Sequence, residues 1–93
     1  MRPDFAWDEE KAKANLKKHH VSFEEATTVF IDPASKTIFD VDHSVYEQRY
    51  IDMGRSDQGR VLIVFYIERG SNIRIISCRQ ATLSERKFYE EGG

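Results

Sequence analysis

Apolar residues recur with a helical period through the first third of the chain and alternate through most of the remainder. Residues 3–7 (Pro3 to Trp7) predict a short leading strand. Asp8 then offers an N-cap, and Glu9 and Glu10 occupy the first turn, where the helix dipole favours anions. This first helix is expected to reach about His19, with Ala12 and Leu16 on its inner face. A second helix starts at Ser22-Phe23-Glu24-Glu25, a capping box with Val21 placed as a staple toward Ala26. Phe23, Ala26, Thr27 and Phe30 keep helical spacing until Pro33 ends it.

Beyond Pro33 the alternation predicts strands at 36–41, 49–55, 60–68 and 73–79. Asp57-Gln58-Gly59 suits a three-residue hairpin loop, and Gly70-Ser71 suits a two-residue primed turn. The register these turns imply puts Ile51, Met53, Ile63, Phe65, Ile67, Ile76 and Cys78 on one face, expected to be the core under the helices. The opposite face, expected to be presented, carries Tyr50, Asp52, Leu62, Val64, Tyr66, Glu68, Ile75, Ser77 and Arg79. Thr82-Leu83-Ser84-Glu85 is another capping box and opens a last helix reaching about Glu91. The predicted class is α+β: an antiparallel sheet with two N-terminal helices and a C-terminal helix, in the order β-α-α-β-β-β-β-α.

Length fixes the scale of this fold. Ninety-three residues with 40% hydrophobic and 32% charged side chains make one globular domain, residues 1–93. A chain of this size buries roughly 60–70% of its unfolded surface, enough for one core. The longest apolar run, Val61 to Ile67, falls far short of the ~20 residues a bilayer span needs. The acidic start does not read as a secretory signal, and the single cysteine, Cys78, permits no internal disulfide, so a cytoplasmic location is expected.

Charge changes the picture more. Residues 1–48 carry six basic and ten acidic side chains, whereas residues 49–87 carry eight basic and four acidic. Seven of those eight are arginines, whose guanidinium fork matches phosphate. An anionic partner would therefore meet the second half. The expected register groups Tyr66, Glu68, Ser77 and Arg79 across adjacent strands, with Arg69 at the hairpin end, Arg55 at the preceding turn and Arg74 on the other face. Such a group can bind a phosphodiester and stabilise charge developing on it. It is equally the pattern of ordinary cross-strand Arg–Glu pairing on an exposed sheet. No His or Cys pair has structural zinc spacing, and Cys78 falls among core positions.

Longer strings of residues carry a family resemblance. Phe5-x-Trp7-Asp8-x-x-Lys11, Asn15-Leu16-x-Lys18-His19, Val21-Ser22-Phe23-Glu24-Glu25-Ala26 and Asp32-Pro33 resemble the first half of the BrnT toxin family. Gly54-Arg55-Ser56, Gly59-Arg60, Tyr66, Glu68-Arg69-Gly70, Arg74-Ile75-Ile76-Ser77-x-Arg79, Ala81, Glu85-Arg86 and Tyr89 continue it. His20 stands where the family usually has Gly after the first helix.

The resemblance implies a RelE-like fold and a ribonuclease toxin of a type II toxin–antitoxin system that inhibits growth and translation. It implies a BrnA-like ribbon-helix-helix antitoxin as partner, contact with DNA only through that antitoxin, and no membrane partner. The expected chemistry is metal-free and cofactor-free attack of an RNA 2′-hydroxyl on the adjacent phosphate. Arg69, Arg74 and Arg79 are the candidates for stabilising phosphate charge, Glu68 or His19 for the base, and Tyr66 for orienting or donating a proton. Arg55, Arg60, Arg86, Lys11 and Tyr50 are the candidates for binding RNA or antitoxin. The alternative is a non-catalytic RNA-binding or protein-interaction module using the same arginines. No long apolar stripe is left over, so a monomer is expected when the chain is free.

Overall fold

The elements follow the sequence closely in a computed structural model that describes residues 4–43 and 47–92. They are β1 (Asp4–Ala6), α1 (Glu9–His19), α2 (Phe23–Thr28), β2 (Lys36–Phe39), β3 (Arg49–Arg55), β4 (Val61–Arg69), β5 (Asn72–Gln80) and α3 (Leu83–Glu90). Short 3₁₀ turns cover Val29–Ile31 and Val41–His43, the first extending α2 toward Pro33. The strands form one sheet in the order β1-β5-β4-β3-β2. Three of the four pairings are antiparallel, but β1 runs parallel to β5, so the sheet is mixed. Parallel pairing requires a crossover, and the chain uses α1 through β4 to make it.

Caps set the helix ends. The Asp8 carboxylate accepts from the amides of Glu10 and Lys11, and His20 closes α1 in the left-handed region at φ 60°. The residue at the family's glycine position thus keeps a glycine-like backbone. Ser22 accepts from the Glu25 amide, yet the Glu25 carboxylate does not return to cap the helix. It turns inward to Ser56 and Arg60, so this capping box is only half made. The Thr82 box is complete.

Both predicted hairpins form. Gly59 (φ 81°) and Gly70 (φ 58°) supply the left-handed positions. The β3–β4 register pairs Ile51 with Phe65 and Met53 with Ile63, as the turn implies. The β4–β5 register starts as expected, with Arg69 opposite Asn72 and Ile67 opposite Arg74. A β-bulge then intervenes: Tyr66 pairs with Ile75 but Phe65 pairs with Ser77, leaving Ile76 unmatched. One extra residue inverts the alternation of the rest of β5. Cys78 therefore faces the side of Val64, and Ser77 and Arg79 face the side of Phe65 and Ile63.

The two faces also exchange the roles expected of them. The principal core joins Val21, Phe23, Ala26 and Val29 to Leu62, Val64, Tyr66, Ile73, Ile75 and Cys78 beneath α2 and its 3₁₀ extension. Met53, Val61 and Ile63 lie on the other face, where they form a smaller core with Tyr89 of α3. A run of aromatic rings crosses the principal core side: Phe5, Phe30, Tyr66, Tyr50 and Phe39, at successive centroid distances of 5.2, 4.9, 5.6 and 5.4 Å. Gly54 lets the turn after α2 press on β3, because a Cβ there would lie 2.8 Å from a Val29 methyl and 3.0 Å from the Ser35 Cβ.

Inside α1 the buried position is Asn15, whereas Leu16, expected on the inner face, is 51% exposed. The Asn15 amide donates to the carbonyls of Val21 (2.9 Å) and Cys78 (2.8 Å), and its oxygen accepts from the Cys78 amide (3.1 Å). β1 pairs with β5 only as far as Arg74. Asn15 supplies strand-like hydrogen bonds further along β5, where a leucine could not.

Candidate functional site

The bulge decides where Arg79 goes. Residues 74 and 79 are five apart, so unbroken alternation would place them on opposite faces. With one residue taken up in the bulge, both fall on the face of Ile63, Phe65 and Ile67. Arg69 belongs to this face by its position on β4, and Arg49 and Arg55 by their pairing with Ile67 and Val61. Five arginines thus share the α3 side of the sheet.

They are not equivalent. At one end, Arg49, Ile67 and Arg74 stand side by side across β3, β4 and β5, and Ala6 of β1 extends the row. A concavity of about 200 Å³ is lined by Asp40, Arg49, Tyr50, Phe65, Tyr66, Ile76 and Ser77. A second, of about 240 Å³, is lined by Asp4, Phe5, Ala6, Ile67, Arg69, Asn72 and Arg74. Arg49 of the first and Ile67 of the second are cross-strand partners, so the two concavities adjoin. Glu47 holds both Arg69 (3.1 Å) and Arg49 (3.7 Å). The Arg69 side chain is 70% exposed, and Arg74 is exposed with no ion pair among the described residues. This end of the sheet is open, and its arginines stand among the carboxylates of Asp4, Asp40 and Glu47.

At the other end the arginines are built into the structure. Arg79 grips Glu85 with two hydrogen bonds (2.8 and 3.0 Å) and lies 5.9 Å from the centre of the Phe65 ring. Glu85 also completes the Thr82 capping box, so Arg79 fixes the start of α3. The guanidinium holds the Glu85 carboxyl down at about 2. Arg55 donates to the Gly59 carbonyl (3.0 Å), approaches Glu90 (3.5 Å) and lies over the Tyr89 ring. Arg60 pairs with the buried Glu25 and donates to the His20 carbonyl (3.1 Å), tying the hairpin to the α1–α2 junction. Arg60 and Ser56 keep the Glu25 carboxyl below its usual range despite burial.

Of the remaining candidates, Tyr50 and Tyr66 line the first concavity, and the others lie apart from it. Tyr66 is 4% exposed and its phenol donates to Asp52 (2.9 Å). Burial and that carboxylate push the phenol well above its ordinary range. Burial also raises the Asp52 carboxyl, against the opposing hydrogen bonds from Thr37 and Tyr66. Tyr50 stacks on Tyr66 rather than standing free. Glu68 is exposed and continues the Leu62–Val64–Tyr66 side, so it does not meet Arg79 across the sheet. His19 is half-buried in the last turn of α1. Lys11 is exposed on α1 and Arg86 on α3. Burial pushes the Cys78 thiol up to about 12, an inert core sulfur.

Alternation alone missed Arg49, Phe65 and Asp40 at the open end. Arg49 carried a signal, since the predicted β3–β4 register already sets it opposite Ile67. The described residues contain no cluster of three or more metal-binding side chains, and no helix among them is long and apolar enough to cross a membrane.

Comparison with known proteins matches this geometry to a fold already solved. The 1.1 Å crystal structure of the Brucella abortus ribonuclease toxin BrnT superposes with a TM-score of 0.66 at 22% identity, covering 86% of this chain and 97% of that one. No curated protein sequence matches. A family model described as the ribonuclease toxin BrnT of type II toxin–antitoxin systems matches residues 7–85. That span is most of the described domain, and the chain belongs to the BrnT family of ribonuclease toxins.

Proposed function

We propose that this protein is an endoribonuclease that cuts single-stranded RNA at the open arginine end of its sheet, without a metal ion. A ribose 2′-hydroxyl attacks the adjacent phosphorus, the bond to the 5′-oxygen breaks as that oxygen takes a proton from water, and the products carry a 2′,3′-cyclic phosphate and a 5′-hydroxyl. Arg69 and Arg74 bind the phosphate oxygens and stabilise the charge that builds on them. Phe65 and Ile67 form the floor against which the nucleotide rests. Asp40, the carboxylate lining the same concavity as Arg49 and Ser77, takes the 2′-hydroxyl proton. Orientation on a rigid sheet supplies much of the remaining acceleration. The carrying observation is the register at the hairpin end of the sheet, which sets Arg49 and Arg74 on either side of Ile67, on the same face as Arg69.

Tyr66, Glu68 and His19 have no part in this scheme, and Arg79 acts by holding α3 beside the site. The family's toxin–antitoxin character calls for a neutralising partner. In our reading this is a cytoplasmic ribbon-helix-helix antitoxin with an acidic, amphipathic segment covering the arginine face, and the free toxin is a monomer. Induced expression of the wild type beside Arg74→Ala tests the proposal. Growth arrest with RNA cleavage from the wild type alone supports it. Intact RNA and equal growth with both would overturn it, and saturable RNA binding without cleavage would leave a binding module instead.

A further inference from the structure

We infer that a second phosphate-binding site lies in the groove between α3 and the β3–β4 hairpin, where it holds the backbone of the same RNA strand away from the scissile phosphate. The inference rests on RNA being the ligand of the sheet face. The groove encloses about 390 Å³. Leu83, Arg86, Lys87 and Glu90 line it from α3, at the spacing that puts four side chains on one helix face. Arg55 and Arg60 line it from the hairpin. Four cations therefore converge on a space that holds one carboxylate.

Two of the four are already ordered. Arg55 is held by the Gly59 carbonyl and the Tyr89 ring, and Arg60 by Glu25 and the His20 carbonyl. A phosphate binding them meets guanidinium groups whose side-chain entropy is already spent. Arg86 and Lys87 are exposed, have no ion pair among the described residues, and can close over the ligand from the helix. Glu25 pairs with Arg60 from behind the groove, and the carboxylate within it, Glu90, touches Arg55 at 3.5 Å across two half-exposed side chains, a contact of little strength.

The lining also selects the class of ligand. Protein-binding surfaces have apolar, often aromatic centres depleted of charge. Among the described residues this groove offers Leu83 as its only large exposed apolar side chain and no aromatic ring in its lining. A charged lining around open space fits a phosphodiester backbone better than an acidic peptide. Position supports a single strand reaching both sites. Val61 in the groove and Ile67 at the open arginine end are six residues apart on β4, or ~20 Å.

The test is binding of a fluorescent twelve-nucleotide 2′-O-methyl RNA, which cannot be cleaved by 2′-hydroxyl attack, to the full-length protein over a range of salt. The double variant Arg86→Ala/Lys87→Ala loses two exposed side chains at positions where alanine favours the helix. It should bind more weakly, and its plot of log affinity against log salt should be shallower by about 1.4, for two phosphate contacts on a single strand. A control variant, Lys17→Ala/Lys18→Ala on the exposed surface of α1, should leave the slope unchanged. An unchanged slope in the groove variant, or an equal fall in both variants, overturns the inference. Weaker antitoxin binding with RNA binding intact also overturns it and makes the groove a protein-docking surface. Competition by millimolar inorganic phosphate as strong as that by RNA would show a free-phosphate site instead of a strand anchor. Because the probe cannot be cut, a wild type that binds it but cleaves no RNA refutes the catalytic proposal and leaves this one standing.

Discussion

Replacing Asn15 with alanine should damage this protein more than removing any single exposed arginine. Asn15 makes three hydrogen bonds in the interior, two to carbonyls and one from the Cys78 amide. A typical internal hydrogen bond contributes about 1 kcal/mol net, and a buried group left unpaired costs about 1–3 kcal/mol. Three bonds lost together, with partial rescue by water at the helix–strand seam, amount to about 3 kcal/mol. Against a typical stability of about 5–15 kcal/mol, that is a large share. The assay is urea unfolding of wild type, Asn15→Ala and the neighbouring Leu16→Ala. With a urea m-value in the small-protein range of about 1–3 kcal/mol/M, the Asn15→Ala midpoint should fall by roughly 1–3 M with m unchanged. Leu16→Ala, at a half-exposed position, should cost less than about 1 kcal/mol. Hydrogen exchange at the Cys78 amide should accelerate in Asn15→Ala alone. A loss below about 0.5 kcal/mol, or unchanged protection at Cys78, would refute the view that this amide serves as a strand partner for β5.

Three further outcomes follow from the charged groups. Arg60→Ala should destabilise by about 2–4 kcal/mol, because it strands a buried carboxylate that Ser56 alone cannot satisfy. Since Glu25 titrates below its ordinary 4.5, the pair's contribution is present above that pH and lost as pH falls through the lowered value, so wild type and variant should converge in acid. Asp52 has the opposite sign: its folded pKa is raised, so its ionisation opposes folding as pH climbs above 3.8. Asp52→Asn, which keeps an acceptor for the Tyr66 phenol, should match or exceed wild-type stability at pH 7 and lose that advantage near pH 3.5, as urea midpoints at the two values will show. Arg79→Ala and Glu85→Ala should each cost about 1–2 kcal/mol, and the double variant little more, because both break one clamp on α3. Strict additivity in that cycle would remove the structural role given to Arg79.

The sequence made the element order legible because its punctuation is strong. Asp8, Ser22 and Thr82 mark helix starts, and Gly59 and Gly70 mark turns whose geometry only a few residues adopt. What alternation could not supply was the side of the sheet. The run from Val61 to Ile67 is apolar at odd and even positions alike, since helices cover both faces, and period two cannot rank two covered faces. The bulge left no mark either, as Ile75-Ile76 reads as ordinary strand. Arg69 and Arg74 lie before it and were recognisable as site candidates, whereas Tyr66 and Arg79 were grouped across a register the bulge breaks. Similarly, Leu16 looked like the inner residue of α1 because hydropathy cannot anticipate a buried amide that replaces a strand partner.

At the open arginine end, we propose, RNA is cleaved by attack of the RNA's own 2′-hydroxyl. Purified wild type and Arg74→Ala, each incubated with single-stranded RNA in excess EDTA and analysed for end groups, test it most directly. The wild type should yield fragments with 2′,3′-cyclic phosphate and 5′-hydroxyl ends, and the variant should cleave at least about a hundredfold more slowly, on the order of one charge-stabilising contact removed. Intact RNA with the wild type, 5′-phosphate ends, or equal rates from the two proteins would contradict it.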